Sequence, residues 1–205
     1  MLAVTATATY LVLAFVSYLN YPGVFSPWNN NWLSDLGSRD LNPQGANFYR
    51  IGCALNGMVM IAMFVTVTPW RIQTGRRQRA LVGWAQLFGV SAAVALIMTA
   101  VYPLDMFVAH QLWSRVLVSA FAGLLFVSFF AFRRDGRSNV PIAVAAVVGY
   151  VSAVLWLLFG SAHWIEWILV ADVLFLVCLV GMRTTGLCHE RQQQLLRHRT
   201  TNASS

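Results

Sequence analysis

The chain has 205 residues, of which 58% are hydrophobic and only 10% charged, and its formal net charge is +7. A soluble domain carries about a quarter charged residues, so this chain cannot coat a globule with polar groups; a soluble enzyme, a disordered chain and a coiled coil are excluded. The expectation is an integral membrane protein, in which the basic excess reports topology and a mild attraction to anionic lipid headgroups rather than nucleic acid.

Six apolar runs follow one another at 2–19, 46–68, 80–102, 109–132, 140–159 and 164–182. Each has the length that a helix needs to cross a hydrocarbon core, and backbone groups in lipid must be satisfied within their own segment. The predicted fold is therefore all-α, a six-transmembrane-helix bundle over 1–186 with a long folded first outer loop at 20–45 and a basic tail at 187–205. The first run lacks a basic leader and a small-residue cleavage site, so it reads as a retained span rather than a signal peptide. Arg71, Arg76, Arg77 and Arg79, then Arg133, Arg134 and Arg137, then Arg183, Arg191, Arg197 and Arg199 fall on one side. The positive-inside rule makes that side cytoplasmic, with both termini inside and the protein in the cell membrane. Asp35, Asp40, Asp105, Glu166 and Asp172 belong to the opposite half.

Ala85, Gly89 and Ala93 in the third run, and Ala145, Gly149 and Ala153 in the fifth, place small residues at every fourth position. Such stripes let neighbouring helices approach closely. Cys53, Cys178 and Cys188 follow no metal or disulfide spacing.

Polar residues collect at the outer ends of the second, fourth and sixth runs and in the first loop. That loop exceeds the usual helix connection and carries Trp28, Trp32, Ser34, Asp35, Arg39, Asp40 and Asn42, which suits a folded cap better than a tether. Arg50, Cys53 and Gly57 return to one helix face. His110 and Ser114 share a face at i, i+4, beside Asp105 and Arg115. His163 and Glu166 open the sixth run, with Asp172 deeper and on the opposite azimuth to His163. Ionisable groups at such depth point to function because their desolvation is costly; snorkelling to the interface is the plainer alternative. Two histidines with Asp35 or Asp105 and Glu166 resemble a zinc set. No HExxH or paired-cysteine spacing accompanies them, so neither metal nor cofactor is expected. Ser34 and Ser114 lack a GxSxG elbow. A histidine titrating near neutrality suits proton transfer with a carboxylate.

Trp32-Leu33-Ser34-Asp35-Leu36-Gly37, then Asn42-Pro43 and Phe48, resembles the first-loop signature of the prokaryotic domain-of-unknown-function family 998, related to the eukaryotic Frag/DRAM/Sfk membrane proteins. Tyr102-Pro103 to His110 is similar to a second patch of that family, and Glu166-Trp167 to a Glu-Trp of the Frag/DRAM branch. The resemblance implies a lipid theme with a site at the outer face, carried by Ser34, Asp35, Asn42, His110 and Glu166.

The leading expectation is an outward-facing polar pocket that binds a lipid or isoprenoid and extends to modifying it enzymatically. His110 with Asp35 or Glu166 would move protons. Ser34, Asn42, Arg50, Asp105, Ser114, Arg115 and His163 would bind substrate, a headgroup or diphosphate lying against the two arginines. A non-catalytic scaffold or accessory subunit is the alternative and a small-molecule transporter the third reading. A homo-oligomer or a larger membrane complex is left open.

Overall fold

A computed structural model describes residues 2–26, 28, 31–66, 76–132, 140–160, 163–176 and 179. Arg71, Arg133, Arg134, Arg137, Cys178, Cys188 and the basic tail lie outside the described residues.

The regular elements among the described residues are all helices: α1 Leu2–Leu19, a 3-10 helix Leu33–Gly37, α2 Ala46–Thr66, α3 Arg76–Val101, α4 Phe107–Phe132 and α5 Val140–Phe159, with α6 over 163–176. Four of these helices, α2 to α5, are long and apolar enough to cross a membrane, while α1 offers the shorter apolar stretch Val4–Leu19. The helix ends follow local chemistry. Pro103 cannot continue α3, because it has no N–H and restrains the residue before it. Gly160 takes φ +49° after α5, and its N–H closes on the Trp156 carbonyl at 2.8 Å, a left-handed helix stop.

Consecutive helices pack side by side from α1 to α5. The sixth lies among them: Ile165, Leu169 and Val173 share one core with Met60, Ala93, Val118, Phe121, Ala153 and Trp156, residues of α2 to α5. Small residues let the backbones meet. A Cβ at Gly57 would sit 2.8 Å from the Ala93 carbonyl oxygen of α3, and one at Gly149 would fall on the Asp172 carboxylate of α6. Large apolar side chains such as Leu11, Phe15, Ile51, Met58, Leu112, Phe126, Leu158 and Phe175 remain exposed around the bundle. A soluble monomer does not expose apolar surface on this scale; together with the four long apolar helices it marks a membrane protein.

The first loop is folded onto one end of the bundle. Phe25, Leu33 and Leu36 form a small core against Tyr21, Tyr49, Trp167 and Val170. Asn42 is 0% exposed. Its Nδ2 donates to Ser17 Oγ at 2.9 Å and to the Ser17 and Leu36 carbonyls at 3.1 Å each, while its Oδ1 accepts the Gly45 N–H at 3.1 Å. A Cβ at Gly45 would collide with that amide and with the Ser17 carbonyl, so only glycine lets the loop close here.

Candidate functional site

Beneath the folded loop lies an interior cavity of about 100 Å³, large enough for several waters. Apolar side chains of α2 to α6 form most of its wall, and the polar groups on it include Tyr10, Ser34, Tyr49, Arg50, Asn56, His110, Ser114 and Glu166. A larger, more open groove of about 770 Å³ adjoins it, between Trp32 and Ser34 of the loop, Phe107 to Arg115 of α4, and Trp156, Gly160 and Glu166. Ser34, His110, Ser114, Trp156 and Glu166 line both spaces. They form a throat between interior and exterior.

His110, Arg50 and Glu166 are each held by a backbone arrangement that creates a need for them. Pro103 offers no N–H to the Thr99 carbonyl, and the chain leaves α3 two residues after Ala100, so the last α3 carbonyls lack helical donors. His110 answers this. Its Nδ1 lies 2.8 Å from the Tyr102 carbonyl oxygen, and the ring also meets the Thr99 carbonyl. Arg50 reaches the same helix end from α2, its Nε–H donating to the Ala100 carbonyl at 2.8 Å. Both basic groups thus sit at the negative end of the α3 dipole. A neutral imidazole that donates through Nδ1 keeps its lone pair at Nε2.

Glu166 occupies the opposite wall. Its Oε2 accepts the Leu33 N–H at 3.2 Å, and the Ser34 N–H and hydroxyl also bond to it. The carboxylate therefore ties the start of the 3-10 helix to α6. Trp167 adds an Nε1–H bond to the Asn31 carbonyl at 3.1 Å, and Trp32 packs on the His163 ring at a centroid distance of 4.2 Å.

The structure brings Ser34, Arg50, His110, Ser114 and Glu166 onto one cavity and adds Arg115 at the groove. Four other expected site residues serve the loop instead. Asp35 is buried, and its Oδ2 accepts the Trp32 N–H at 3.0 Å and an Asn31 Nδ2–H at 3.4 Å. Burial pushes its carboxyl above the usual range, against the lowering effect of those two bonds. Asn42 is spent on Ser17, Leu36 and Gly45, as described above. Asp105 accepts the Ser38 hydroxyl and the Arg39 and Asp40 N–H groups at 2.9 and 3.5 Å. Its partial burial raises the carboxyl, but those bonds and the Arg50 charge outweigh it and hold the group below its ordinary range. His163 lies against Trp32 and is on the wall of neither space.

Sequence reasoning passed over Tyr10, Tyr49, Asn56, Thr7 and Trp156. A signal existed for the α2 members: Tyr49, Cys53, Asn56 and Met60 recur at i, i+4, i+7 and i+11, one helix face, and all line the cavity. Among the described residues, the buried side-chain atoms without a hydrogen-bond partner are Thr7 Oγ1, Trp156 Nε1 and Asp172 Oδ2. The first two belong to the cavity wall. Among the described residues, no three histidine, cysteine or acidic side chains gather as a metal set.

No family model, no curated protein and no solved structure matches the chain. The likeness to the domain-of-unknown-function family 998 is a resemblance of loop and helix motifs.

Proposed function

We propose that this chain is a six-span protein of the cell membrane, with both termini cytoplasmic, and that its outward-facing pocket binds a lipid or isoprenoid. The observation that carries the reading is the shared wall of cavity and groove. Polar side chains from α4, α5, α6 and the loop meet there, and the groove leads out past apolar residues of α4. Val108 and Leu112 are 83% and 59% exposed on that wall, a surface suited to an acyl or prenyl chain and useless to a water-soluble substrate. His110 supports proton transfer at Nε2, with Glu166 across the throat as its carboxylate partner. Asp35, whose carboxylate accepts the Trp32 N–H, lines neither space, whereas Glu166 lines both while also accepting the Leu33 N–H.

The scaffold reading draws on a specific observation too. His110, Arg50 and Glu166 each satisfy backbone groups, so the same cluster locks loop and bundle together. Lipid analysis separates the two. The protein purified in mild detergent should carry one lipid class enriched over the bulk membrane extract. Ser114→Phe, which fills the throat, should lower that enrichment about tenfold, the ratio that about 1.4 kcal/mol of binding energy represents, with little change in melting temperature. An extract identical to bulk membrane for the wild type would leave the scaffold as the function.

A further inference from the structure

The lipid-binding reading above leaves the headgroup unnamed, and the groove carries the chemistry to name it. Trp156 is 8% exposed, stands in the throat, and its Nε1–H finds no acceptor in the protein. Buried donors are almost always paired; this Nε1 is itself closed off from solvent, so a ligand oxygen can pair it only as the indole shifts toward the groove that the residue lines. At the groove, Arg115 is exposed and makes no ion pair or hydrogen bond with any described residue. Gln111 stands one turn before it on the same face of α4 and shares the groove wall. Among the described residues the one carboxylate on that wall, Glu166, is taken by the N–H groups of the loop. Among the described residues the groove therefore presents a free cation and free donors, and no free anion, beside an apolar wall.

We propose that the groove takes the headgroup of an anionic, phosphate-bearing membrane lipid from the side. Its phosphate lies on Arg115 and Gln111, an acceptor oxygen pairs the Trp156 Nε1–H as the indole shifts toward the groove, and the chain runs along Val108 and Leu112. The proposal rests on the lipid-binding reading, and it makes Trp156 a binding residue that reads the headgroup.

The test uses the full chain in nanodiscs of equal parts phosphatidic acid and phosphatidylcholine, with native mass spectrometry counting the lipids retained. The wild type should retain phosphatidic acid over phosphatidylcholine by about tenfold, the scale of one charge-assisted hydrogen bond. Arg115→Gln should abolish the preference. Trp156→Phe should lower retention of phosphatidic acid about fivefold and leave that of phosphatidylcholine unchanged; as a truncation in the shared core it also lowers the melting temperature. Equal retention of both lipids by the wild type, or a preference unchanged in Arg115→Gln and Trp156→Phe, would overturn the anionic headgroup and leave lipid binding standing. Retention of no lipid would overturn both readings. Displacement of the retained lipid by a millimolar excess of inorganic phosphate would show a site for the free ion and overturn the lipid as occupant.

Discussion

Asn42 shows how one side chain can set the position of a whole loop. It is fully buried and bonds to Ser17, Leu36 and Gly45 at once. Asn42→Ala leaves those backbone groups unpaired in a dry site and should cost about 2–4 kcal/mol, read as a lower melting temperature in detergent; an unchanged value would contradict the geometry. His110 needs a subtler change, because its Nδ1 serves the end of α3 while its ring also borders the throat. Asn can replace the Nδ1 donor but has no Nε2. His110→Asn should therefore keep most of the stability and lose the activity or lipid exchange that depends on Nε2, whereas His110→Ala should lose both. The polar types and their depth were legible in the sequence. Their partners were not, since Arg50 and His110 bind backbone carbonyls of another helix, and a carbonyl carries no residue signature. Asp35 adds a role that its spacing did not announce, since its carboxylate caps its own turn.

At the scale of elements, the loop and the bundle meet through one clip whose chemistry depends on pH. Asp105 is held below its ordinary value near 3.8, so its bonds to Ser38, Arg39 and Asp40 add stability above that value and lose it as pH falls through the lowered one. Asp35, pushed upward by burial, works with the opposite sign. The difference between wild type and Asp105→Asn isolates the clip: the wild type should be the more stable at neutral pH, with the gap closing as the pH is taken below 4. A gap that stays constant would remove Asp105 from the docking of the loop. Close helix contacts give a second check, since a methyl at Gly57 meets the Ala93 carbonyl and the Ile97 side chain at 2.8 and 2.6 Å. Gly57→Ala should cost about 1–3 kcal/mol by forcing α2 and α3 apart, measured by thermal unfolding. Helix limits were readable to within a few residues wherever Pro103, Gly160 or the Asn42-Pro43 pair interrupts the apolar pattern. The 3-10 helix was not, because Leu33–Gly37 is shaped by Glu166 from the far end of the chain.

For the whole molecule, composition alone announced lipid as solvent, and four helices long enough to span agree with it. The central place of α6 could not be read from hydropathy, which orders segments along the chain and says nothing of their neighbours. Reporter fusions test the orientation: a periplasmic reporter inserted after Asp40 should be active, and one inserted between α2 and α3 silent. The measurement that reaches furthest is a cryo-electron microscopy map of the protein in a lipid nanodisc. Elongated density running from between His110, Arg115 and Trp156 out along Val108 and Leu112 is expected. A groove closed by its own side chains, with His110, Arg50 and Glu166 turned away from any shared space, would refute convergence of these groups beneath the loop.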